Sequence, residues 1–191
     1  MRYFIGNWKM FGVPKSINIL KKVNSFYSKD KNRRKYKVII TPPYILIESF
    51  AKYFKNKKIS IGSQNCYQKD FFSSITAAIS PFMLKKIGAK FTLVGHSDNR
   101  GEGDTDRMLR DKVKFALNNN LKVIFCIGEN KKEKRNKKTF SVLTKQLIKV
   151  LNRKFDSKSI IVAYEPVWSI GTGKIPTKSE LTKTTKYIKQ L

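Results

Sequence analysis

The chain has 191 residues, 40% of them hydrophobic, and its 41 Lys and Arg residues outnumber 13 Asp and Glu residues to give a net charge of +28. This length suffices for one sizeable core, so we expect a single domain over residues 1–191. No apolar run approaches the roughly 18 residues of a membrane span, and the N-terminus lacks a signal-peptide pattern. Cys66 and Cys126 are the only cysteines and lack metal-ligand or redox spacing. We therefore expect reduced thiols in the cytoplasm and no membrane partner.

The excess of positive charge suggests nucleic-acid binding at first sight. Lysines occur in nearly every predicted helix and loop, however, whereas nucleic-acid binding usually needs a patch or stripe with presented aromatic rings. Lysine, asparagine, isoleucine, phenylalanine and tyrosine have A/T-rich codons and are abundant here, which favours an A/T-rich genome as the source of the charge. We therefore expect no nucleic-acid partner and keep a basic nucleic-acid-binding α/β module as the less favoured alternative.

Short apolar runs that alternate with helical segments predict strands along the whole chain. The first five are expected at residues 3–6, 36–41, 59–62, 91–94 and 121–127. A sixth contains the apolar run from Ile160 to Ala163 and ends near Glu165, where Pro166 prevents the ladder from continuing.

Each predicted strand is followed by a predicted helix. The first begins at Pro14 and carries Ile17, Leu20, Val23 and Phe26 at helical spacing. The others are expected after Pro43, at residues 82–87, from Thr105 to about Asn119, at 142–151 and at 179–190. Ser80 and Thr105 have the character of N-caps, and residues 131–138 are typical of a solvated loop or a helix entry.

Six β-then-α units with short, strongly apolar strands predict an α/β fold with a parallel sheet and right-handed crossovers. Two architectures fit this pattern, a doubly wound open sheet and part of an eight-unit barrel. The periodicity of the sequence does not separate them.

Polar side chains follow three of the predicted strands at the point where each strand ends. Asn7 and Lys9 follow the first strand, His96 follows the fourth and is the only histidine, and Glu165 follows the sixth. Taken singly, Lys9 reads as an ordinary surface lysine and a lone histidine is more often structural than catalytic. The carboxyl ends of parallel strands share one edge, so we expect these four side chains to converge on a catalytic rim.

A flexible turn, Gly171-Thr172-Gly173, lies beyond Glu165 and can offer backbone N–H groups to an anion. Trp168 and Ile170 precede this turn. The alternative for this segment is a loop in which Trp168 packs and Glu165 is merely solvated.

Four segments together resemble the triosephosphate isomerase family. They are Gly6-Asn7-Trp8-Lys9, Leu93-Val94-Gly95-His96-Ser97, Cys126-Ile127-Gly128-Glu129 and residues 163–174, and the match runs from about Tyr3 to Gln190. The resemblance implies a TIM (β/α)8 barrel. It also implies interconversion of dihydroxyacetone phosphate and D-glyceraldehyde 3-phosphate through an enediol(ate), in glycolysis and gluconeogenesis, by a cytoplasmic homodimer.

The resemblance assigns the catalytic residues. Proton removal beside a carbonyl needs a base on the carbon and an electrophile on the oxygen. The resemblance implies that Glu165 is the base and neutral His96 the electrophile, a pairing known for that family. Lys9 would balance the charge that develops on the enediolate.

Substrate binding follows from the same resemblance. Lys9 would also help to hold the phosphate, Asn7 would orient a substrate oxygen, and Gly171 would donate a backbone N–H to the phosphate. Residues 166–176 would form a lid that closes over the site and excludes water. Glu129 is a weaker candidate for a contact with this lid, with a solvated or structural carboxylate as the alternative, and Cys126 is expected to be a packed thiol. No metal or organic cofactor is expected.

Several positions depart from the family pattern. Ser97-Asp98-Asn99-Arg100 replaces Ser-Glu-Arg-Arg, which shortens one carboxylate and removes one guanidinium near His96. After Thr76, Ala77-Ala78 replaces the Gly-Glu of a loop that contacts the neighbouring subunit. The homodimer expectation is therefore less secure than the catalytic one.

The sequence given stops at Leu191, whereas barrels of this type run to about 250 residues. It therefore predicts about six β/α units and an incomplete barrel in which the last two units are absent. Two unpaired edge strands and fewer phosphate donors would follow. We expect this chain alone to be poorly stable and nearly inactive, with a non-catalytic remnant of the enzyme as the alternative reading.

Overall fold

The computed structural model describes residues 2–152 and 154–191. Within these residues, the strands are β1 (Arg2–Asn7), β2 (Tyr36–Thr41), β3 (Ser60–Ser63), β4 (Phe91–Val94), β5 (Lys122–Ile127) and β6 (Ile160–Tyr164). The α-helices are α1 (Ile17–Lys29), α2 (Tyr44–Phe54), α3 (Pro81–Lys86), α4 (Ser97–Gly101), α5 (Asp106–Asn118), α6 (Lys131–Arg135), α7 (Thr139–Val150) and α8 (Lys178–Ile188). None of these helices is long and apolar enough to cross a bilayer.

The strand order distinguishes between the two architectures that the sequence leaves open. All six strands are parallel and lie in the order β1-β2-β3-β4-β5-β6, so each crossover leads to the next neighbour in one direction. A doubly wound sheet reverses its strand order at a switch point, and this sheet does not. The fold is therefore the barrel type, and the prediction of an incomplete barrel is confirmed.

Successive side chains of each strand point to opposite faces of the sheet, and this divides the core into two layers. In β5, Val123 and Phe125 pack with the helices, whereas Ile124 and Cys126 belong to a smaller cluster on the other face of the sheet. The central strand β4 is buried along its whole length. The prediction that Cys126 is a packed thiol is confirmed.

The two outer strands are less well covered than the centre of the sheet. Among the described residues, β1 pairs with β2 alone and β6 with β5 alone. Phe4 in β1 is 58% exposed, and every residue of β6 is partly accessible. The sheet is thus most fully buried at β4 and β5, and the two groups that contact the Glu165 carboxylate, on His96 and Ser97, follow β4.

Most predicted elements are found within one or two residues of their expected bounds, and β2 and β4 match them fully. Ser80 and Thr105 are N-caps, and their hydroxyls accept from the N–H groups of Met83 and Met108. The helical spacing in α1 holds except at its end, where Phe26 is 74% exposed and Tyr27 is buried instead.

Candidate active site

The end of β1 holds Lys9 in a conformation that is unusual for a residue with a side chain. Its φ is +50°, in the left-handed region. The Asn7 side-chain oxygen accepts the Lys9 N–H at 3.0 Å, and Gln64 Nε2 donates to the Lys9 carbonyl at 2.7 Å and to that of Thr41 at 2.9 Å. These bonds fix the backbone from which the Lys9 ammonium projects.

His96 is buried directly after β4, and its contacts define its tautomer. Its Nδ1 accepts the backbone N–H of Asp98 at 3.2 Å. An acceptor nitrogen carries a lone pair, so the neutral ring bears its hydrogen on Nε2. This Nε2 lies 3.2 Å from Glu165 Oε2. The imidazole therefore presents a neutral N–H donor toward the carboxylate.

Glu165 reaches from the end of β6 to the end of β4. Its Oε1 accepts the backbone N–H of Ser97 at 2.9 Å while its Oε2 faces His96. Burial raises the pKa of the Glu165 carboxyl above its ordinary value. His96, the Ser97 N–H and the Lys9 ammonium oppose this rise in pKa, and the negative charge of Asp98 adds to it.

Asp98 links the two sides of the site. Its Oδ2 lies 3.3 Å from Lys9 Nζ and 3.5 Å from His96 Nδ1. The shortened carboxylate at this position therefore still pairs with Lys9. The closest contact of Asp98 with His96 runs through the backbone N–H, which any residue here would supply.

Arg100 is a supporting residue to which the sequence analysis assigns no role. Its guanidinium donates to the carbonyl of Gly95 at 2.8 Å and to that of Cys126 at 3.2 Å. It thereby ties the carboxyl end of β4 to that of β5. The single guanidinium that the sequence retains is thus a structural brace beneath His96.

Three of the four rim residues line one cavity of about 490 Å3. Asn7, Lys9 and His96 face it together with Gln64 and Tyr44, and Glu165 adjoins it through His96. In residues 2–152 and 154–191, no three His, Cys, Asp or Glu side chains are grouped so as to hold a metal ion. Asn7, Lys9 and His96 thus meet at one cavity, as expected from the strand ends, and Glu165 contacts this group through His96.

Gly171 stands apart from this group. Its φ is +69°, and no atom lies within 4 Å of the position that a Cβ would occupy. Within the described residues, it forms no hydrogen bond with Asn7, Lys9, His96 or Glu165. The turn is stabilised internally, because the Thr172 hydroxyl bonds the carbonyls of Trp168 and Ser169 at 3.1 Å each.

Glu129 anchors the segment that leads to this turn. Its carboxylate is fully buried and accepts from Trp168 Nε1 at 2.9 Å, the Tyr164 hydroxyl at 3.1 Å and the Thr139 hydroxyl at 3.2 Å. The carboxylate is therefore not solvated, and one of its partners, Trp168, belongs to the segment expected to form the lid. If residues 166–176 move as a unit, the hydrogen bond between Trp168 and Glu129 must break.

Gly128 sets the separation between β5 and β6 just below the site. A Cβ at this position would overlap the carbonyl oxygen of Glu165. We predict that Gly128→Ala lowers the free energy of unfolding by about 3 kcal/mol, because backbone must shift to admit the methyl group. Urea denaturation measures this. Gly101→Ala, where no atom lies within 4 Å of the added Cβ, should not destabilise. Equal effects would contradict this account of Gly128.

A one-directional parallel β/α sheet with a partly buried glutamate, a neutral histidine and a lysine at its carboxyl edge is typical of a (β/α)8-barrel enzyme. The family profile described as "Triosephosphate isomerase" matches residues 2–191. The chain belongs to the triosephosphate isomerase family.

Individual relatives agree with this assignment. The chain is 35% identical over 188 residues to triosephosphate isomerase of Thermoanaerobacter sp. and 37% identical over 191 residues to that of Debaryomyces hansenii. These matches cover 96% and 99% of the chain and 74% and 75% of the relatives. The crystal structure of triosephosphate isomerase from Bartonella henselae superposes with a TM-score of 0.88 at 30% identity, covering 99% of this chain and 74% of that one.

Proposed function

We propose that the protein interconverts dihydroxyacetone phosphate and D-glyceraldehyde 3-phosphate through an enediol(ate). The observation that carries this proposal is the direct contact between a partly buried carboxylate, Glu165, and a neutral imidazole N–H on His96. In such a pair the carboxylate acts as the base, and the imidazole acts as the electrophile without first being protonated. The relatives named above share the family assignment and favour neither the nucleic-acid-binding alternative nor a non-catalytic remnant.

The reaction follows from the groups at the rim. Glu165 takes a proton from C1 of dihydroxyacetone phosphate, and the C–H electron pair forms the C1–C2 double bond of the enediolate. His96 Nε2–H stabilises the negative charge on the C2 oxygen. The proton of the C1 hydroxyl then moves to the C2 oxygen, and Glu165 returns its proton to C2, so that the C1 oxygen becomes the carbonyl oxygen of the aldehyde. Both carboxylate oxygens of Glu165 are engaged here, so the substrate must displace the Ser97 N–H or His96 before proton transfer.

Lys9 and Asn7 have roles in binding. The Lys9 ammonium neutralises the anionic substrate and the enediolate, and it exchanges its contact with Asp98 for one with substrate. Asn7 orients the Lys9 backbone and a substrate oxygen. Gly171, whose N–H forms no hydrogen bond among the described residues, donates to the phosphate once residues 166–176 close. No metal or organic cofactor takes part in these steps.

A coupled assay with glyceraldehyde 3-phosphate tests the proposed activity. Turnover that disappears in Glu165→Gln supports it, and turnover that persists at the same rate in Glu165→Gln reports a contaminating enzyme and contradicts it.

The pH profile tests the role of Glu165 separately. The base acts as a carboxylate, so kcat/KM should fall as the pH drops through the raised pKa of Glu165, above the ordinary range for a carboxyl. Asp98→Asn removes a negative charge that raises this pKa, and we predict that the acid limb moves to lower pH. Glu48→Gln, an exposed carboxylate paired with Lys52, should leave the limb in place. An unmoved limb in Asp98→Asn would argue against Glu165 as the titrating base.

We also propose a homodimer that forms through the loop between β3 and α3. Phe71 and Phe72 in this loop are exposed and pack on Phe82, with ring centroids 4.0 and 5.3 Å from that of Phe82. An exposed cluster of aromatic rings is typical of a contact surface. Ala77, where the family has glycine, has a φ of +64°, a conformation that glycine adopts without strain.

Sedimentation analysis tests the dimer. Phe71→Ser with Phe72→Ser should shift the protein toward monomer, whereas Phe26→Ser, at an equally exposed ring on α1, should not. A wild-type monomer at micromolar concentration would overturn this proposal.

A cytoplasmic location agrees with the two unpaired cysteine thiols and with a glycolytic role, and cell fractionation tests it.

A further inference from the structure

A cleft of about 750 Å3 opens at the amino ends of the strands, at the edge of the sheet opposite to the candidate active site. It is lined from the starts of β2, β3, β4 and β5 and from the segments before them. Its cationic lining includes Arg33, Arg34, Lys37, Lys58, Lys90 and Lys122, with Lys57 and Lys85 beside them. No carboxylate of the described residues lines it.

Most cations of this cleft have no carboxylate partner among the described residues. None of the ion pairs found among the described residues involves a residue of the cleft. Two carboxylates lie toward the same end of the sheet and interact through space with Arg33 and Lys122, without forming an ion pair with either. Asp30 accepts from the Tyr36 hydroxyl and the Asn32 N–H, and Asp156 accepts from the Lys158 N–H and the Ser159 hydroxyl.

The fold also forces some of these charges together. The Lys122 N–H donates to the Lys90 carbonyl at 3.0 Å, so the two residues are adjacent on neighbouring chain segments. Lys122 is in register with Phe91 rather than with Lys90, but both ammonium groups line the same cleft and repel each other through space. A bound anion would relieve this repulsion.

Several cationic groups are free to bind such an anion. Lys57 stacks over the Tyr53 ring, and Lys85 Nζ donates to the Asn120 carbonyl, so these two are engaged. Within the described part of the chain, no side-chain hydrogen bond or ion pair engages five others, namely Arg34, Lys37, Lys58, Lys90 and Lys122. All five are exposed at the cleft.

We propose that this cleft binds a compact anion that carries several phosphate groups. Guanidinium and ammonium groups on a concave wall provide bidentate and point-charge contacts to phosphate oxygens. The volume is that of a small-molecule site. The rings in its wall are Tyr27, Tyr36 and Phe91. Tyr27 and Phe91 are buried, and the half-buried Tyr36 packs against Phe4 and Tyr27, which favours a polyphosphate over a nucleic acid whose bases would stack on free rings.

Titration calorimetry with inorganic tripolyphosphate tests the cleft on the purified protein. The cleft variant is Arg34→Gln, Lys58→Gln and Lys90→Gln. The control variant, Lys22→Gln, Lys131→Gln and Lys178→Gln, removes the same charge from exposed positions elsewhere. We expect the cleft variant to weaken tripolyphosphate binding about tenfold or more, because charge-assisted contacts are lost, while the control changes it little. Thermal unfolding by circular dichroism verifies that both variants fold.

A second arm identifies the source of the phosphate groups. A 20-nucleotide oligouridylate should bind more weakly per phosphate than tripolyphosphate. Its binding should fall no more in the cleft variant than in the control variant. Equal losses in the cleft and control variants would mean that only the diffuse positive field attracts anions, and would overturn the proposal. Cleft-dependent binding of the oligouridylate without binding of tripolyphosphate would equally overturn the assignment to a compact ligand.

Discussion

Replacement of Glu165 by glutamine is expected to lower kcat by about 10³- to 10⁴-fold, the range associated with loss of a positioned general base. The amide retains the size of the side chain and its ability to accept the Ser97 N–H, but it cannot take a proton from carbon. Stopped-time coupled assays measure kcat, and circular dichroism verifies the fold. KM should change much less than kcat, because the substrate retains its contacts with Lys9 and Asn7.

Two further variants make this test specific. Glu165→Asp keeps the charge but draws the carboxylate back by one methylene, and a loss of about 10²-fold is expected from the misplaced base. Glu102→Gln alters another carboxylate that lines the same cavity and should leave kcat nearly unchanged. Comparable losses in Glu102→Gln and Glu165→Gln would mean that the cavity needs negative charge rather than a base at one position.

Replacement of His96 by glutamine is expected to lower kcat by about 10²- to 10³-fold, the range for removal of one preorganised donor from a developing oxyanion. Nε2–H of His96 is held by the Asp98 N–H on the far side of the ring, and a flexible amide lacks this support. The contact is strengthened only in the transition state, so kcat and kcat/KM should fall together.

The His96 variant also has a structural reading that must be separated from the chemical one. His96 is buried against Glu165, so its loss changes the surroundings of the base as well. A loss confined to KM, or a loss of thermal stability that parallels the loss of activity, would contradict the role of His96 as electrophile.

The fold was predictable where hydrophobic periodicity and caps coincide. The branched runs of β2 and β4 lie between clear turn signals, and Ser80 and Thr105 mark the starts of α3 and α5 by their hydroxyls. Strand order could not be read from periodicity, because doubly wound and barrel sheets bury the same kind of strand. The short helix α4 was missed, since one turn has no periodicity to detect.

Helix α6 was only partly predictable. The basic segment at residues 131–138 shows little apolar patterning, yet Asn130 and Glu133 form a reciprocal capping box that starts the helix. At the end of α1, Phe26 faces solvent while Tyr27 is buried, and the Tyr27 hydroxyl donates to the Tyr36 carbonyl at 2.8 Å. Tertiary contact of this kind overrides a repeating pattern.

The side chains of the site were predictable because they follow apolar strands and stand within the segments that match the family. The groups that hold these side chains in place were not predictable from the sequence. The Ser97 N–H that binds Glu165 and the Asp98 N–H that fixes His96 are backbone groups, which carry no residue signature. Gln64 and Arg100 lie far along the chain from the carbonyls of Lys9 and Cys126 that they bind. Only the three-dimensional arrangement reveals these pairs.

The central claim is that Glu165 carries a proton between two carbons of one substrate, and its most direct test is solvent exchange followed by proton NMR. In deuterium oxide, glyceraldehyde 3-phosphate should yield dihydroxyacetone phosphate that carries deuterium at C1, because the protonated carboxyl exchanges with solvent before it returns its proton. Glu165→Gln should abolish this labelled product. Unlabelled product from the wild-type protein, or labelled product at an undiminished rate from Glu165→Gln, would contradict the account.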